Sequence, residues 1–211
     1  MVARVIVRDV FETNAYFAID EATGSGFLVD PGAEAERLYS IVRDKGWRIE
    51  RILLTHGHFD HTAAAEPLSR ALNAPISMHR LGAPFLADAN LNLSAPCGRY
   101  VTIGTPVDWL DDGDEVRLAA NPAYSIRVLH TPGHTPDSVT YHLPSENCAF
   151  VGDSIIDGNV GLTKFPGGDQ PTLIRSLETR ILTLPADTTL FPVTQLHCPS
   201  ENFCRDPNPK S

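Results

Sequence analysis

The chain has 211 residues, of which 42% are hydrophobic, so it can build one large domain with a substantial core. Its formal net charge of −9 argues against a nucleic-acid-binding protein, which needs clustered lysine and arginine. No stretch approaches the ~18 apolar residues of a membrane span, and charges interrupt the N-terminal segment, so we expect a cytoplasmic protein without membrane partners.

Apolar runs and turn residues divide the chain into alternating strand-like and helix-like segments. Strands are predicted at residues 2–7, 15–19, 25–29, 48–55, 74–79, 115–118, 125–130, 138–142 and 148–151. Helices are predicted at residues 33–45, 63–72 and 172–184. Between residues 81 and 105 the pattern is weak and predicts irregular structure. The alternation, without an internal linker, predicts one layered α/β domain over residues 1–192.

The segment LLTHGHFDHT, residues 53–62, places three histidines and an aspartate directly after a predicted buried strand. His56 and His58 are two positions apart at the strand end, so their side chains can point the same way. Asp60 and His61 follow the turn and can approach from another side. Because neutral imidazoles and carboxylates are ligands of Zn²⁺, Fe²⁺ and Mn²⁺, the pattern predicts a metal site rather than a solvated polar loop.

Two later segments supply further candidate ligands at strand ends. HTPGHTPDS places His134 in a turn shaped by prolines and a glycine, and AFVGDS places Asp153 just after a buried strand. Loops held by a stiff sheet are where binding sites are usually built. We therefore expect His134 and Asp153 to complete the metal site.

In this order and spacing, THGHFDH, TPGHTPDS and VGDS resemble the metallo-β-lactamase superfamily over about residues 10–192. More narrowly, TNAYF, FLVDPG, NLSAPCG and GLTKFPGGD resemble short hydroxyacylglutathione hydrolases of the glyoxalase II type. The resemblance implies a four-layer αββα sandwich. Carried over residue by residue, it also implies that His56, His58 and His134 hold a first metal and that Asp60 and His61 hold a second.

The same resemblance implies roles for two more aspartates. Asp153 would bridge the two metals, and Asp30 matches a family aspartate expected to orient a ligand histidine. Asp60 is in addition the candidate catalytic residue. The implied cofactor is Zn²⁺, as one or two ions, with iron or manganese as alternatives.

These ligands imply a metal-dependent hydrolase whose substrate is a small-molecule thioester of the hydroxyacyl–thiol kind. A hydroxide held by the metals would attack the thioester carbonyl, and a thiolate would leave. A mononuclear-iron persulfide dioxygenase and a lactonase are alternative enzymes for the same ligands. A catalytically impaired member of the family, or a binding protein without turnover, is a further alternative.

Other motifs refine this expectation. Cys148 lies in an apolar strand, which favours a packing residue over a nucleophile. FPGGDQPT, residues 165–172, lacks the Lys-Ser/Thr pair of a phosphate-binding loop and is expected to form a turn before the last helix. Asp137 stands where the family commonly has glycine, and Leu162 and Lys164 stand where it commonly has arginine and aspartate. We expect substrate contacts near residues 162–164 to differ accordingly.

The C-terminal tail, residues 193–211, departs from the family pattern. The family ordinarily places a Gly-His pair near the last strand to complete the second metal site, but here TTLFP is followed by VTQLHCPSENFCRDPNPKS. His197 comes late and without a glycine, which favours a histidine of a loose tail. A neighbouring reading frame after Pro192 can encode Gly-His-Ala-Thr-Ala-Leu-Ser-Glu-Arg-Glu-Leu, so we hypothesise a frameshift, genuine or from sequencing. With the tail as it stands, we expect the second metal to bind weakly.

Overall fold

Strands with alternating side chains form two β-sheets in the computed structural model, which describes residues 1–194. The first sheet contains, in spatial order, β1 (Val2–Arg8), β2 (Glu12–Asp20), β3 (Ser25–Val29), β4 (Arg48–Leu54), β5 (Ile76–His79) and β6 (Val107–Leu110). The second contains, from one edge to the other, β7 (Glu115–Arg117), β8 (Ser125–His130), β9 (Val139–Leu143), β10 (Cys148–Gly152) and β13 (Thr189–Pro192). Between β10 and β13 in the chain, β11 (Ile155–Ile156) and β12 (Asn159–Val160) form a separate small hairpin.

The helices connect and flank these strands. They are α1 (Ala35–Lys45), α2 (Phe59–Thr62), α3 (Ala65–Leu72), α4 (Ala83–Ala87) and α5 (Gln170–Ser176). Gly46 ends α1 in the left-handed conformation, as its position in the sequence suggests. Across residues 1–194 no helix combines the length and the apolar character that crossing a membrane requires.

The two faces of β2 show how the layers arise. Phe17 and Ile19 pack in an apolar cluster with Leu38 of α1, whereas Tyr16 and Ala18 belong to a second cluster that contains side chains of the other sheet. Alternate residues of a strand point to opposite faces, so one strand can contribute to both clusters. The first sheet therefore has helices on its outer face and the second sheet on its inner face.

The second sheet is built in the same way. Ala149 and Val151 of β10 pack against Leu173 and Leu177 of the last helical segment, whereas Phe150 lies in the cluster between the sheets. The order of layers is helices, first sheet, second sheet, helix. The expected four-layer αββα sandwich is confirmed.

The carboxyl end of β4 is tied to the second sheet by two hydrogen bonds. The backbone N–H of Val139 donates to the carbonyl oxygen of Thr55 at 2.9 Å, and the Tyr141 hydroxyl donates to the carbonyl oxygen of Leu54 at 2.8 Å. Tyr141 is fully buried, so its hydroxyl needs this partner. The loop after β4 thus starts from a point that both sheets hold in place.

Where the elements differ from the prediction, tertiary packing explains the difference. The segment predicted to be irregular contains α4, a single short turn whose Phe85 and Leu86 are buried, and β6 then pairs with β5 at the sheet edge. The last helix begins at Gln170, where Asp169 caps it by accepting from the N–H of Thr172, and it changes to a π turn from Leu177 to Ile181. Short elements of this kind carry too few periodic residues to be read from sequence.

Gly133 allows the loop that carries His134 to pass against α5. Its φ is +136°, and a Cβ there would lie 2.3 Å from the backbone of Leu173. We expect Gly133→Ala to lower the free energy of unfolding by about 3–4 kcal/mol through backbone strain and overpacking, measured by urea denaturation. Gly113→Ala is the matched control, because Gly113 also has a positive φ, +86°, but open space around the added carbon. Equal losses in the two variants would contradict the close approach.

Candidate metal centre

The loop after β4 is anchored by the buried carboxylate of Asp30. Asp30 Oδ1 accepts a hydrogen bond from the backbone N–H of Thr55 at 2.7 Å, and Oδ2 accepts one from the Thr55 hydroxyl at 2.5 Å. The same Oδ2 accepts a hydrogen bond from Nδ1 of His61 at 3.0 Å. Asp30 therefore fixes both the start of the loop and, six residues later, the ring of a predicted ligand.

His56, His58 and His134 meet in what we call the triimidazole cluster. His58 Nδ1 lies 3.0 Å from His56 Nε2 and 3.0 Å from His134 Nε2, and all three side chains are buried. His134 Nδ1 donates to the carbonyl oxygen of Leu162 at 2.5 Å, which leaves the lone pair on Nε2. Donor atoms bound at about 2.0–2.1 Å to a shared ion have separations of this order, so the cluster can hold one divalent metal.

Asp60, His61 and Asp153 form a second group beside it, which we call the carboxylate cluster. His61 Nε2 lies 3.4 Å from Asp153 Oδ1 and 3.7 Å from Asp60 Oδ2. Asp153 Oδ2 is also 3.7 Å from His134 Nε2, so this carboxylate faces both clusters. Asp153 is thus placed where a bridging ligand would stand.

Burial and mutual repulsion keep the triimidazole cluster neutral. Burial lowers the pKa of His56 and of His58 well below the usual value, and the neighbouring imidazoles lower it further. Burial also lowers the pKa of His134, although the Asp153 carboxylate opposes the shift. Since a metal binds the neutral imidazole, these rings are in the ligating form at neutral pH.

The carboxylate cluster has the opposite electrostatics. Burial would lower the pKa of His61, but the carboxylates of Asp153 and Asp60 outweigh it and raise that pKa well above its usual value. Burial would raise the pKa of Asp153, but His61 and His134 hold it below its usual range. Burial raises the pKa of Asp60 to about 6. A positive charge at this position is therefore favoured, and without a metal the His61 ring supplies it.

One buried atom supports the fit to a cation. Asp153 Oδ1 accepts no hydrogen bond of good geometry from any residue in 1–194, although it is shielded from solvent. A buried carboxylate oxygen without a donor is costly, and a bound cation would satisfy it. The six candidate ligands thus fit a pair of divalent ions by donor type, by proximity and by charge.

The structure brings together all the predicted ligands and the orienting aspartate, and it adds residues that the sequence analysis missed. Thr55 links Asp30 to the loop, and Thr194, assigned to the tail, places Oγ1 at 3.5 Å from His61 Nε2. No spacing pattern marks Thr55, whereas Thr194 is the second residue after Pro192, where the histidine of the family's Gly-His pair was expected. His197 and the hypothesised change of reading frame fall among residues 195–211, outside the described part of the chain.

Cys148 is a packing residue, as expected. Its side chain is buried between the two sheets, and burial raises the pKa of the thiol to about 12. A thiol with so high a pKa is not a thiolate at neutral pH, so it is not an activated nucleophile.

Asp30→Asn tests the anchoring role of the carboxylate. An amide cannot accept from Thr55 and His61 as a carboxylate does, so we expect the affinity for added Zn²⁺ to fall by about 10- to 100-fold, measured by competition with a chromophoric chelator. Asp20→Asn is the matched control, because Asp20 is another buried aspartate that accepts from a threonine, Thr23, and it lies outside both clusters. An unchanged zinc affinity in folded Asp30→Asn protein would contradict the anchoring role.

Asp137 makes stability depend on pH. Its side chain is fully buried beside Gly57, and burial raises the pKa of the carboxyl from 3.8 to about 6. Because the folded state holds this proton more tightly than the unfolded state, the contribution of Asp137 to stability falls as the pH rises from about 4 to 6, by about 3 kcal/mol. We expect Asp137→Asn to be more stable than the parent at pH 8 and nearly equal at pH 4, in urea titrations at each pH.

Asp44→Asn serves as the control for this pH dependence, because the Asp44 side chain is 66% exposed. We expect it to change stability by no more than about 0.5 kcal/mol at either pH. A difference in stability between the parent and Asp137→Asn that is the same at pH 4 and at pH 8 would contradict the raised pKa of the Asp137 carboxyl.

Comparison with known proteins identifies the family of this chain. The family model of the metallo-β-lactamase superfamily matches residues 8–192. The chain is 35% identical over 180 residues to the probable metallo-hydrolase YqgX of Bacillus subtilis, a match that covers 85% of this chain and 83% of YqgX. It is 31% identical over 192 residues to the hydroxyacylglutathione hydrolase GloC of Haemophilus influenzae, covering 89% and 87%. It is 29% identical over 201 residues to the persulfide dioxygenase ETHE1 of Bos taurus, covering 92% and 70%.

Solved structures agree with this placement. The BLEG-1 B3 metallo-β-lactamase superposes with a TM-score of 0.85 at 31% identity, covering 92% of this chain and 91% of that one. TTHA1623 in a di-iron-bound form superposes with a TM-score of 0.79 at 34% identity, covering 90% and 91%. The sequence match, the shared fold and the position of the clusters lead to one conclusion: the chain belongs to the metallo-β-lactamase superfamily.

Proposed function

We propose that the protein is a metal-dependent hydrolase of a small hydroxyacyl thioester, acting in the cytoplasm. The proposal rests on one observation: the triimidazole cluster and the carboxylate cluster lie side by side, and Asp153 faces both. Its Oδ1 lies 3.4 Å from His61 Nε2, and its Oδ2 lies 3.7 Å from His134 Nε2. The name of the relative GloC, a hydroxyacylglutathione hydrolase, supports the choice of a thioester. In the reaction, water adds to the carbonyl carbon, the C–S bond breaks, and a carboxylic acid and a thiol are released.

The triimidazole cluster would hold Zn²⁺, and the carboxylate cluster would hold a second divalent ion. When bound, such ions act as Lewis acids and lower the pKa of water. The chain keeps the rings oriented for this purpose through the Leu162 carbonyl behind His134 and the Asp30 carboxylate behind His61.

Two aromatic rings form an apolar wall next to the triimidazole cluster. The centroid of the Phe165 ring lies 5.6 Å from that of His58 and 6.0 Å from that of His134, and the Phe85 ring lies 6.1 Å from His58 on another side. The exposed Lys164 places Nζ 5.7 Å from the centroid of Phe165. An apolar wall bordered by a cation suits an acyl thioester whose thiol part carries a carboxylate.

Asp60 is the residue best placed to move a proton. Its side chain is 16% exposed, whereas His61 and Asp153 beside it are at most 7% exposed, so Asp60 is the most accessible side chain of the carboxylate cluster. The ionised carboxylate of an aspartate can accept a proton from water. Asp60 Oδ2 would accept a proton from the attacking water, while the thiolate leaves without strong acid assistance because thiols ionise at a pKa of about 8.5.

Asp60→Asn tests the activity. We expect kcat for a hydroxyacyl-glutathione thioester, followed by thiol release, to fall by about 100- to 10,000-fold, because an amide cannot take the proton. The triimidazole cluster should still retain one zinc per chain, measured by elemental analysis. Asp44→Asn is the surface control and should keep full activity. Parent protein that retains zinc but releases no thiol from the thioester would contradict the proposed function.

A persulfide dioxygenase is the second candidate, because His56, His61 and Asp153 also form a group with ligand atoms within 4.8 Å of one another. Two imidazoles and one carboxylate are the usual ligands of mononuclear iron oxygenases, and the relative ETHE1 is named for this activity. Iron-loaded protein supplied with glutathione persulfide would then consume oxygen. Oxygen uptake without thioester turnover would favour this activity, and turnover of a lactone in place of both would favour a lactonase.

A further inference from the structure

Thr194 lies at the edge of the carboxylate cluster, where the chain leaves β13. The backbone N–H of Val193 donates to the carbonyl oxygen of Gly152 at 3.3 Å, and the N–H of Asn14 donates to the carbonyl oxygen of Val193 at 2.9 Å. Thr194 itself forms an antiparallel bridge to β2. These contacts hold the residue beside Asp153, which directly follows Gly152.

The side chain of Thr194 points into the cluster. Its Oγ1 lies 3.5 Å from His61 Nε2. Because Nδ1 of His61 is hydrogen-bonded to Asp30, the other ring nitrogen, Nε2, is the one that faces the carboxylate cluster. Three oxygen-bearing side chains, from Asp60, Asp153 and Thr194, therefore surround Nε2 at 3.4–3.7 Å.

The two clusters consequently differ in donor chemistry. The triimidazole cluster offers three nitrogens, which suit Zn²⁺. The carboxylate cluster offers one nitrogen and three oxygens, and one of those oxygens belongs to an uncharged hydroxyl. Oxygen-rich sets with a threonine hydroxyl suit harder cations, since Mg²⁺ and Mn²⁺ prefer carboxylate, hydroxyl and water oxygens to imidazole.

We propose that Thr194 makes the two metal positions unequal, so that the triimidazole cluster binds Zn²⁺ tightly while the carboxylate cluster binds Zn²⁺ weakly and accepts Mn²⁺. The inference rests on the metal centre of the proposed function. It concerns the selectivity of that centre, which can be measured without any turnover.

The test compares metal binding by the full chain and two variants after metal removal with a chelator. In the parent, calorimetry with Zn²⁺ should show one tight site and a second that is weaker by about 100-fold. Protein loaded with one equivalent of zinc should then bind one Mn²⁺, seen by electron paramagnetic resonance. Thr194→Val keeps the size of the side chain and removes the hydroxyl, so it should keep the tight zinc and lose most of the Mn²⁺ binding.

Thr194→His adds an imidazole to the carboxylate cluster, in addition to that of His61. We expect the second zinc to bind about 10- to 100-fold more tightly than in the parent and Mn²⁺ to lose its advantage. Thermal unfolding of each metal-free variant establishes that it is folded. Thr194→Val alone decides the matter if the histidine variant fails to fold, because it is close to isosteric with the parent.

Two results would overturn the inference. One is a parent that binds two zinc ions with equal affinity, and the other is folded Thr194→Val protein whose Mn²⁺ binding matches the parent. A parent that retains no zinc at all overturns the metal centre and this inference with it. In a further outcome, the parent binds one zinc tightly and Mn²⁺ at the second position, yet hydrolyses no thioester. That result would contradict only the proposed hydrolase activity, and the difference in metal affinity between the two positions would stand.

Discussion

The site depends on one buried carboxylate. Asp30 has no exposed surface, and it accepts hydrogen bonds from the Thr55 backbone, the Thr55 hydroxyl and His61 Nδ1. A buried charge is tolerated when donors of this kind surround it, and it then holds those donors rigidly because releasing any one of them leaves the charge unsatisfied. Asp30 thereby connects the end of β3, the end of β4 and the ring of a metal-ligand candidate in a single unit.

Close backbone contacts extend this rigidity to the other loops. A Cβ at Gly32 would lie 1.6 Å from the carbonyl oxygen of Asp60, and one at Gly152 would lie 2.6 Å from the Thr55 hydroxyl oxygen. Glycines at these two positions let the loops of β3, β4 and β10 touch one another. The side chains of Asp60 and Asp153 are therefore positioned by backbone that has little room to move, which is what a preorganised site requires.

The sequence was most informative where side-chain chemistry is tied to spacing. The pattern from His56 to His61 and the positions of His134 and Asp153 at strand ends were enough to predict that these side chains meet, because binding sites are usually built from loops that a stiff sheet holds in place. The alternation of strand-like and helix-like segments predicted a layered α/β domain, whereas the order of the four layers was implied by the family resemblance. These features are local, so they can be read along the chain.

What the sequence could not reveal depends on contacts between distant segments. The hydroxyl of Thr55 contributes to the site only through its hydrogen bond to Asp30, which lies on another segment. The short helix α4 is stabilised by the burial of Phe85 and Leu86 against the rest of the fold. Thr194 shows the same limit most clearly, since 133 residues separate it from His61 and only the pairing of the chain after β13 with β2 brings them together. The sequence showed that the family's Gly-His pair is missing after Pro192, but it could not show that the hydroxyl of Thr194 lies beside His61.

The electrostatic contrast between the two clusters links the fold to its chemistry. Burial holds His56 and His58 neutral, so a cation can enter the triimidazole cluster without displacing protons. In the carboxylate cluster, by contrast, the negative charges of Asp60 and Asp153 keep His61 protonated, so a cation entering there must first release the proton on that ring. A metal would therefore enter the first position with little competition from protons, whereas metal binding at the second position would be coupled to pH. In our proposal the Thr194 hydroxyl weakens Zn²⁺ binding at that second position further.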